Sequence, residues 1–234
     1  MAMARKTLAF DMYGTVFDVK SVTEQLHSLP TIGARAGEFA QLWRDKQLEY
    51  SFRKGLMQDY EPFHCCTSQA LDYCCVALGS PLTADEKQAL LEAYKKLDAF
   101  PECKEVLCAL KEAGHKLYAF SNGTRSDVES LIAHAGLGAV FDGIVVVDEM
   151  PEPTFKPDPK SYGFFNTKTS STPASSCLIS SNPFDIIGSA ACGWTTFWVQ
   201  RTTKVVFDPW PNARGPTKVL SSLADLHSAL GGTA

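Results

Sequence analysis

Apolar residues first gather at Thr7-Leu8-Ala9-Phe10, a short run that stops at Asp11 and meets Gly14 soon after. A brief continuous run of this kind predicts a buried strand followed by a turn. The period then changes. Over 33–53 the apolar positions, among them Phe39, Leu42 and Trp43, recur at helical spacing. A second helical pattern covers 61–78 and is closed by Gly79 and Pro81. A third starts at Thr83-Ala84-Asp85-Glu86 and runs to Leu97. Thr83 and Glu86 stand at capping-box spacing, where each side chain satisfies the other's orphan N–H. Pro101 opens a further helix that stops at Gly114, using the usual proline-in, glycine-out punctuation.

Beyond Gly114 strands and helices alternate. Residues 116–120, 143–147, 177–179 and 195–199 read as strands, and 124–135, 159–168 and 184–192 as helices, with the polar stretch 166–176 as a surface loop. Such alternation builds a parallel sheet covered by helices on both faces. The fold class expected is therefore α/β, a Rossmann-like doubly wound parallel sheet carrying an inserted α-helical cap after its first strand. The division expected is an α/β core from 1–17 and 98–234 and a helical cap from 18–97.

Composition narrows the picture. The 234 residues carry 22 Lys+Arg against 26 Asp+Glu, and 45% are hydrophobic, which is ordinary for a globular chain of one or two domains. No basic stripe exists to meet phosphates, so nucleic acid is not an expected partner. No apolar run is long enough to span a membrane. The opening Met-Ala-Met-Ala-Arg-Lys has no signal-peptide core, so a cytoplasmic location is expected. There the eight cysteines would remain reduced and mostly structural. None forms a Cys-x-x-Cys pair, so zinc-ribbon and thioredoxin spacings are missing.

Polar residues gather where the uncharged strands end. Asp11-Met12-Tyr13-Gly14-Thr15 follows the first, Ser121-Asn122-Gly123 the second, and Ser180-Ser181-Asn182-Pro183-Phe184-Asp185 a later one, while Lys156 stands just before Pro157. In an open parallel sheet the crevice at the carboxyl ends of the strands is the default ligand site. Helix capping and turn formation are the plain explanation for Ser, Asn and Asp, and they account most easily for Ser181 and Thr124. They do not account for an acid directly after a buried strand in company with Thr15 and Lys156.

These segments, with Gly188 after Asp185, resemble the four motifs of the haloacid dehalogenase superfamily, and more narrowly the type II (S)-2-haloacid dehalogenases. Trp43-Arg44-Asp45-Lys46-Gln47-Leu48-Glu49-Tyr50 is similar to that subfamily's cap helix. The likeness runs from about Lys6 to at least Arg201. It implies that Asp11 is a nucleophile attacking C2 of a short (S)-2-haloacid such as haloacetate or 2-halopropionate, giving an aspartyl ester with inversion, then water, a 2-hydroxy acid and halide. Lys156 would balance the charge of Asp11 and Thr15 would orient it. Ser121 would bind the substrate carboxylate, and Asn122 and Arg44 the departing halide. Asp185, with Ser180 and Asn182, would act on water as base or positioner, and Tyr162 would hydrogen-bond near Asp185 or Lys156. Tyr13, Leu48, Phe63 and Phe184 would form an apolar wall that keeps stray water out. Family habit implies a homodimer. No metal site and no cofactor is expected.

Two positions depart from the usual pattern: Asp45 stands where a glutamine is usual and Phe184 where a tryptophan is. The competing readings are a Mg²⁺-dependent small-metabolite phosphatase and a non-catalytic binding protein on the same fold. A phosphatase of this superfamily uses Asp-x-Asp and further acids to hold Mg²⁺. Here Tyr13 takes the second-Asp place and Ser181-Asn182 the place of acidic ligands. Halide leaves carbon unprotonated, so dehalogenation needs neither.

Overall fold

The structure is a computed structural model that describes residues 5–210 and 215–231; the opening residues 1–4, part of the segment in which no signal-peptide core was found, lie outside them. Thr7–Phe10 is β1, wholly buried. The helices that follow are α1 (Lys20–Ser28), α2 (Ala36–Met57), α3 (Phe63–Ala77) and α4 (Ala84–Ala93). The chain then runs through α5 (Cys103–Glu112), β2 (Lys116–Ser121), α6 (Arg125–His134), β3 (Gly143–Val146), α7 (Pro159–Thr169), β4 (Ser176–Ser180), α8 (Pro183–Ala191), β5 (Thr195–Val199), β6 (Lys218–Leu220) and α9 (Leu226–Ala229).

Among the described residues six strands pair in parallel in the order β3-β2-β1-β4-β5-β6. Strand side chains alternate between faces, and the core divides accordingly. Leu8, Phe10, Leu117, Ala119, Cys177 and Ile179 pack with α5, α6 and α9, while Ala9, Phe120 and Leu178 pack with Tyr162 and Phe165 of α7 and Ile186 of α8. Helices thus cover both faces, and the strand order reverses between β1 and β4, the crevice where such sheets hold ligands.

The chain leaves the sheet layer and returns to it side by side. The Asp18 amide donates to the Asp98 carbonyl at 2.8 Å, and the Phe100 amide to the Val16 carbonyl at 2.9 Å. Between those crossings lie α1–α4. The long helix α2 buries Ala36, Phe39, Trp43, Gln47 and Ser51, one stripe at helical spacing. Trp43 is fully buried and its Nε1 donates to the Thr67 carbonyl of α3 at 2.8 Å. The capping box forms as its spacing predicts, with Thr83 and Glu86 exchanging bonds of 2.7 and 3.2 Å.

Two expectations need correction, and one strand was not expected. The helix expected over 83–97 ends at Ala93. The loop expected over 166–176 is partly helix and partly strand: Asn166 to Thr169 close α7 and Ser176 opens β4. Asn166 there donates to the hydroxyls of Ser171 and Ser176 and accepts from Trp194 Nε1, so its polarity serves an internal junction. The strand β6 carries one buried residue, Leu220, too little for a periodic signal. Among the described residues no disulfide joins the cysteines, and no helix is long and apolar enough to cross a membrane.

Candidate active site

Asp11 is the first residue after β1, and its amide donates to the Ile179 carbonyl of β4 at 3.0 Å. That bond sets it at the reversal of strand order. Gly14 lies at φ +78°, the left-handed region that suits glycine; the turn it makes brings Thr15 back toward Asp11.

The Asp11 carboxylate is 6% exposed as a residue and its two oxygens are used unequally. Oδ2 accepts from Thr15 Oγ1 at 2.9 Å, Ser180 Oγ at 3.0 Å and Asn182 Nδ2 at 2.7 Å. Oδ1 accepts from Lys156 Nζ at 3.1 Å. Backbone amides fix which way the hydroxyl protons point. Thr15 Oγ1 accepts from the Ser181 amide, and Ser180 Oγ from the Asn182 amide. Each hydroxyl is thereby left to give its single proton to Asp11. Ser181 is not the helix cap it was expected to be: its hydroxyl donates to the Gly14 carbonyl, and Asn182 is the cap residue of α8. Thr124, by contrast, does cap α6, accepting from the Asp127 amide.

Lys156 is 1% exposed and spends its three ammonium protons on Asp11, on Asp185 Oδ2 at 2.6 Å and on the Phe120 carbonyl at 3.2 Å. Its backbone is clamped by Asn122, whose Oδ1 accepts from the Lys156 amide at 2.9 Å while Nδ2 donates to its carbonyl at 3.4 Å. Asp185 is fully buried, and Tyr162 donates to its Oδ1 at 2.7 Å. Burial by itself would raise the Asp11 carboxyl, but the Lys156 charge and the hydrogen bonds from Thr15, Lys156 and Asn182 hold it below its ordinary value. Burial would lower Lys156, and the two carboxylates overcome that and raise it. For Asp185 burial prevails over Lys156, and the Asp11 charge adds to it, so its carboxyl is raised.

Arg44 reaches in from α2, where its Nη2 donates to Asn182 Oδ1 at 3.3 Å. Its remaining N–H groups have no side-chain acceptor among the described residues and could hold an anion. Ser121 is fully buried; its oxygen accepts from the Gly123 amide at 3.0 Å, which leaves its proton to offer. Tyr13 and Phe63 face each other with ring centroids 6.4 Å apart, and Phe184 packs edge-on against Phe52 of α2 at 5.1 Å. Leu48 is half-buried one turn beyond Arg44 on α2. Asp45 is exposed and accepts from Gln41 at 2.8 Å, so this acid faces solvent away from the anion donors.

Sequence reasoning missed one supporting residue. Arg201, after β5, donates to the Thr15 carbonyl and to Glu102, and its guanidinium stacks 3.6 Å from the Phe100 ring centroid. A lone arginine after a strand has no local signature; only the sheet brings it beneath the Asp11 loop.

The model of the haloacid dehalogenase-like hydrolase family matches residues 5–193. The (S)-2-haloacid dehalogenase of Pseudomonas sp. (strain YL) is 36% identical over 200 residues, 86% of this chain and 84% of that one. Haloacetate dehalogenase H-2 of Moraxella sp. (strain B) is 33% identical, covering 84% and 86%. Among solved structures, L-2-haloacid dehalogenase from Xanthobacter autotrophicus with chloropropionic acid covalently bound superposes with a TM-score of 0.85 at 30% identity, over 99% of this chain and all of that one.

Proposed function

Because this chain belongs to the haloacid dehalogenase-like hydrolases, we propose that it hydrolyses short (S)-2-haloacids, haloacetate and 2-halopropionate, to 2-hydroxy acids and halide with inversion. The observation that carries this reading is the unequal use of the Asp11 oxygens. Oδ2 takes three donors, whereas Oδ1 takes only Lys156 and keeps lone-pair density to offer a carbon.

In the first step Asp11 Oδ1 attacks C2, the carbon–halogen bond breaks with its electron pair, and an ester forms through Oδ1. Ser121 holds the substrate carboxylate, and Arg44 with Asn122 receives the halide. Arg44 has the donors free for it, whereas Asn122 contributes only what its clamp on Lys156 leaves over. Tyr13, Leu48, Phe63 and Phe184 screen the carbon from solvent. In the second step water attacks Cγ of Asp11. Negative charge then grows on Oδ2, where Thr15, Ser180 and Asn182 already point their protons, a preformed oxyanion site. Asp185, more basic than an ordinary aspartate, takes the water proton. A carboxylate has about four lone-pair directions, and Lys156 and Tyr162 use two. Cleavage of Cγ–Oδ1 then releases the hydroxy acid, the departing alkoxide oxygen taking the proton held by Asp185, and the second water proton leaves Asp11 to solvent, restoring both carboxylates.

Residues 18–97 act as a cap over a core of 1–17 and 98–234, a division supported by the paired crossings at Asp18–Asp98 and Val16–Phe100. A cytoplasmic location is supported by eight cysteines with no disulfide among the described residues. A homodimer is supported by the resemblance alone. The phosphatase alternative fits the residues poorly. Asp11 is ringed by N–H and O–H donors, with Lys156 Nζ and Asn182 Nδ2 where a cation would need oxygen ligands.

The test is chloride release from (S)-2-chloropropionate in the presence of EDTA, followed by single turnover in heavy-oxygen water. Chloride should appear, and the label should enter Asp11. Phosphate-ester hydrolysis that requires Mg²⁺, or label passing straight into the product, contradicts the reading.

A further inference from the structure

The peptide that joins Ser181 to Asn182 is held at both of its polar ends. Its N–H donates to Ser180 Oγ at 3.1 Å, and its carbonyl accepts from the indole Nε1 of Trp198 at 3.1 Å. Trp198 stands on β5, in register with Ser180 of the neighbouring β4. It is buried in the core cluster of Tyr162, Phe165 and Ile186, and Phe207 packs edge-on against its ring at 5.2 Å. A buried indole N–H needs an acceptor, and the Ser181 carbonyl supplies it.

Two of the three donors on Asp11 Oδ2 depend on that peptide. The Ser180 proton is left for Asp11 because the Asn182 N–H occupies the hydroxyl oxygen. The Asn182 amide side chain, the second donor, springs from the same peptide. The third donor is gripped from the other core. Arg201, just beyond β5, donates to the Thr15 carbonyl while stacked on Phe100, which packs in the cluster on the opposite face of the sheet. Thr15 Oγ1 also lies 3.1 Å from Ser181 Oγ, a competing acceptor for its proton. Small shifts of either backbone segment therefore decide where that proton points.

We propose that Trp198 is a positioning residue for hydrolysis of the aspartyl ester, with Arg201 as its counterpart on the Thr15 side. Each acts through a backbone carbonyl. The proposal rests on the dehalogenase reading and adds to it the step that the end of β5 serves. In the first step Asp11 gives up charge: Oδ2 passes from carboxylate oxygen to ester carbonyl, so donors aimed at it do not favour the transition state. Lys156 holds the attacking Oδ1. In the second step Oδ2 becomes the oxyanion, and the same donors act where charge grows. Loosening the grip of β5 thus slows ester hydrolysis and spares halide displacement.

The experiment follows single turnovers of (S)-2-chloropropionate by rapid quench in the wild-type enzyme, Trp198→Phe and Arg201→Lys. Chloride reports the first step and 2-hydroxypropionate the second, while the mass of the intact protein reports ester on Asp11. Trp198→Phe keeps an aromatic ring without the N–H, and Arg201→Lys keeps the charge beside Glu102 without the planar fork. Ester hydrolysis should slow by about tenfold in each variant, the scale of a slightly misplaced catalytic group, while chloride release stays within about threefold and ester accumulates. A residue that only supports the fold would lower Tm and slow both steps alike. Equal slowing of both steps in Trp198→Phe, or ester hydrolysis as fast as in the wild type, overturns the positioning role and leaves the dehalogenase standing. Should Trp198→Phe not fold, Arg201→Lys decides on the same split. No chloride from the wild type overturns the dehalogenase reading and the positioning role with it.

Discussion

Asn182 shows how much of the site turns on a single amide. Its nitrogen faces Asp11 Oδ2 at 2.7 Å, and its oxygen faces Arg44 of α2. One side chain thus orients the proposed nucleophile and also ties Arg44, the proposed halide donor, to the sheet. Replacing it by aspartate keeps the shape and reverses the role. A donor becomes an acceptor beside another carboxylate, which disfavours ionisation of Asp11 and removes one of the three protons aimed at Oδ2. Asn182→Asp should therefore lower kcat for chloride release by about 10²–10³, the scale of losing one oxyanion donor, with less change in KM. Unaltered turnover would mean that Oδ2 does not carry the developing charge. Residues of this kind are legible in a sequence because they sit beside strand ends. Asp11, Thr15, Ser180 and Asn182 each follow or close a buried run and do converge. Arg201 was not legible, because the Thr15 carbonyl and Glu102 that it grips lie 186 and 99 residues away.

Elements were legible in proportion to the apolar surface they bury. The strands β1, β2, β4 and β5 announce themselves as continuous runs, as parallel strands covered on both faces should. β6 and α1 bury one and two residues respectively and leave little pattern to read. What periodicity does not convey is how closely two elements approach, and at α8 that distance matters. Gly188 faces α7 so tightly that a Cβ there would lie 2.6 Å from both Pro157 Cβ and Tyr162 Oη. Neither the proline nor a fully buried tyrosine can simply swing aside. Gly188→Ala must push α8 from α7 and break the Tyr162–Asp185 bond. It should cost about 1–3 kcal/mol of stability, the usual range for overpacking a core, and slow turnover as well. Thermal denaturation alongside halide-release kinetics checks this. A variant as stable and as active as the wild type would show that the two helices can part at no cost to the site.

At the scale of the whole molecule, a net charge of −4 says little about how an anionic substrate meets two buried carboxylates. Local balance decides it: Lys156 lies between Asp11 and Asp185, with Arg44 one amide away. The same balance sets the response to pH. Lys156 has its folded pKa raised above 10.5 by its carboxylate partners, despite burial. Its contribution to stability is thus complete below that value and is lost as pH rises through the folded pKa. Asp11 is held below 3.8, so its contribution is present above 3.8 and is lost as pH falls through the lower folded value. Asp185 has the opposite sign. Raised above 3.8 by burial, it favours the folded state only when protonated, and it counts against folding once ionised. Tyr162, donating to Asp185, is held well above its ordinary value and stays protonated through the alkaline range. The proposed mechanism needs Asp11 and Asp185 ionised and Lys156 charged. The acid limb of kcat/KM should then belong to Asp185 and be centred above 3.8, with activity flat into the alkaline range until beyond 10.5. The pH profile of halide release from (S)-2-chloropropionate measures both limbs. An acid limb centred below 3.8 would assign it to Asp11 and remove Asp185 as the base, and an alkaline fall well below 10.5 would mean that the Lys156 charge is not held by its two carboxylates.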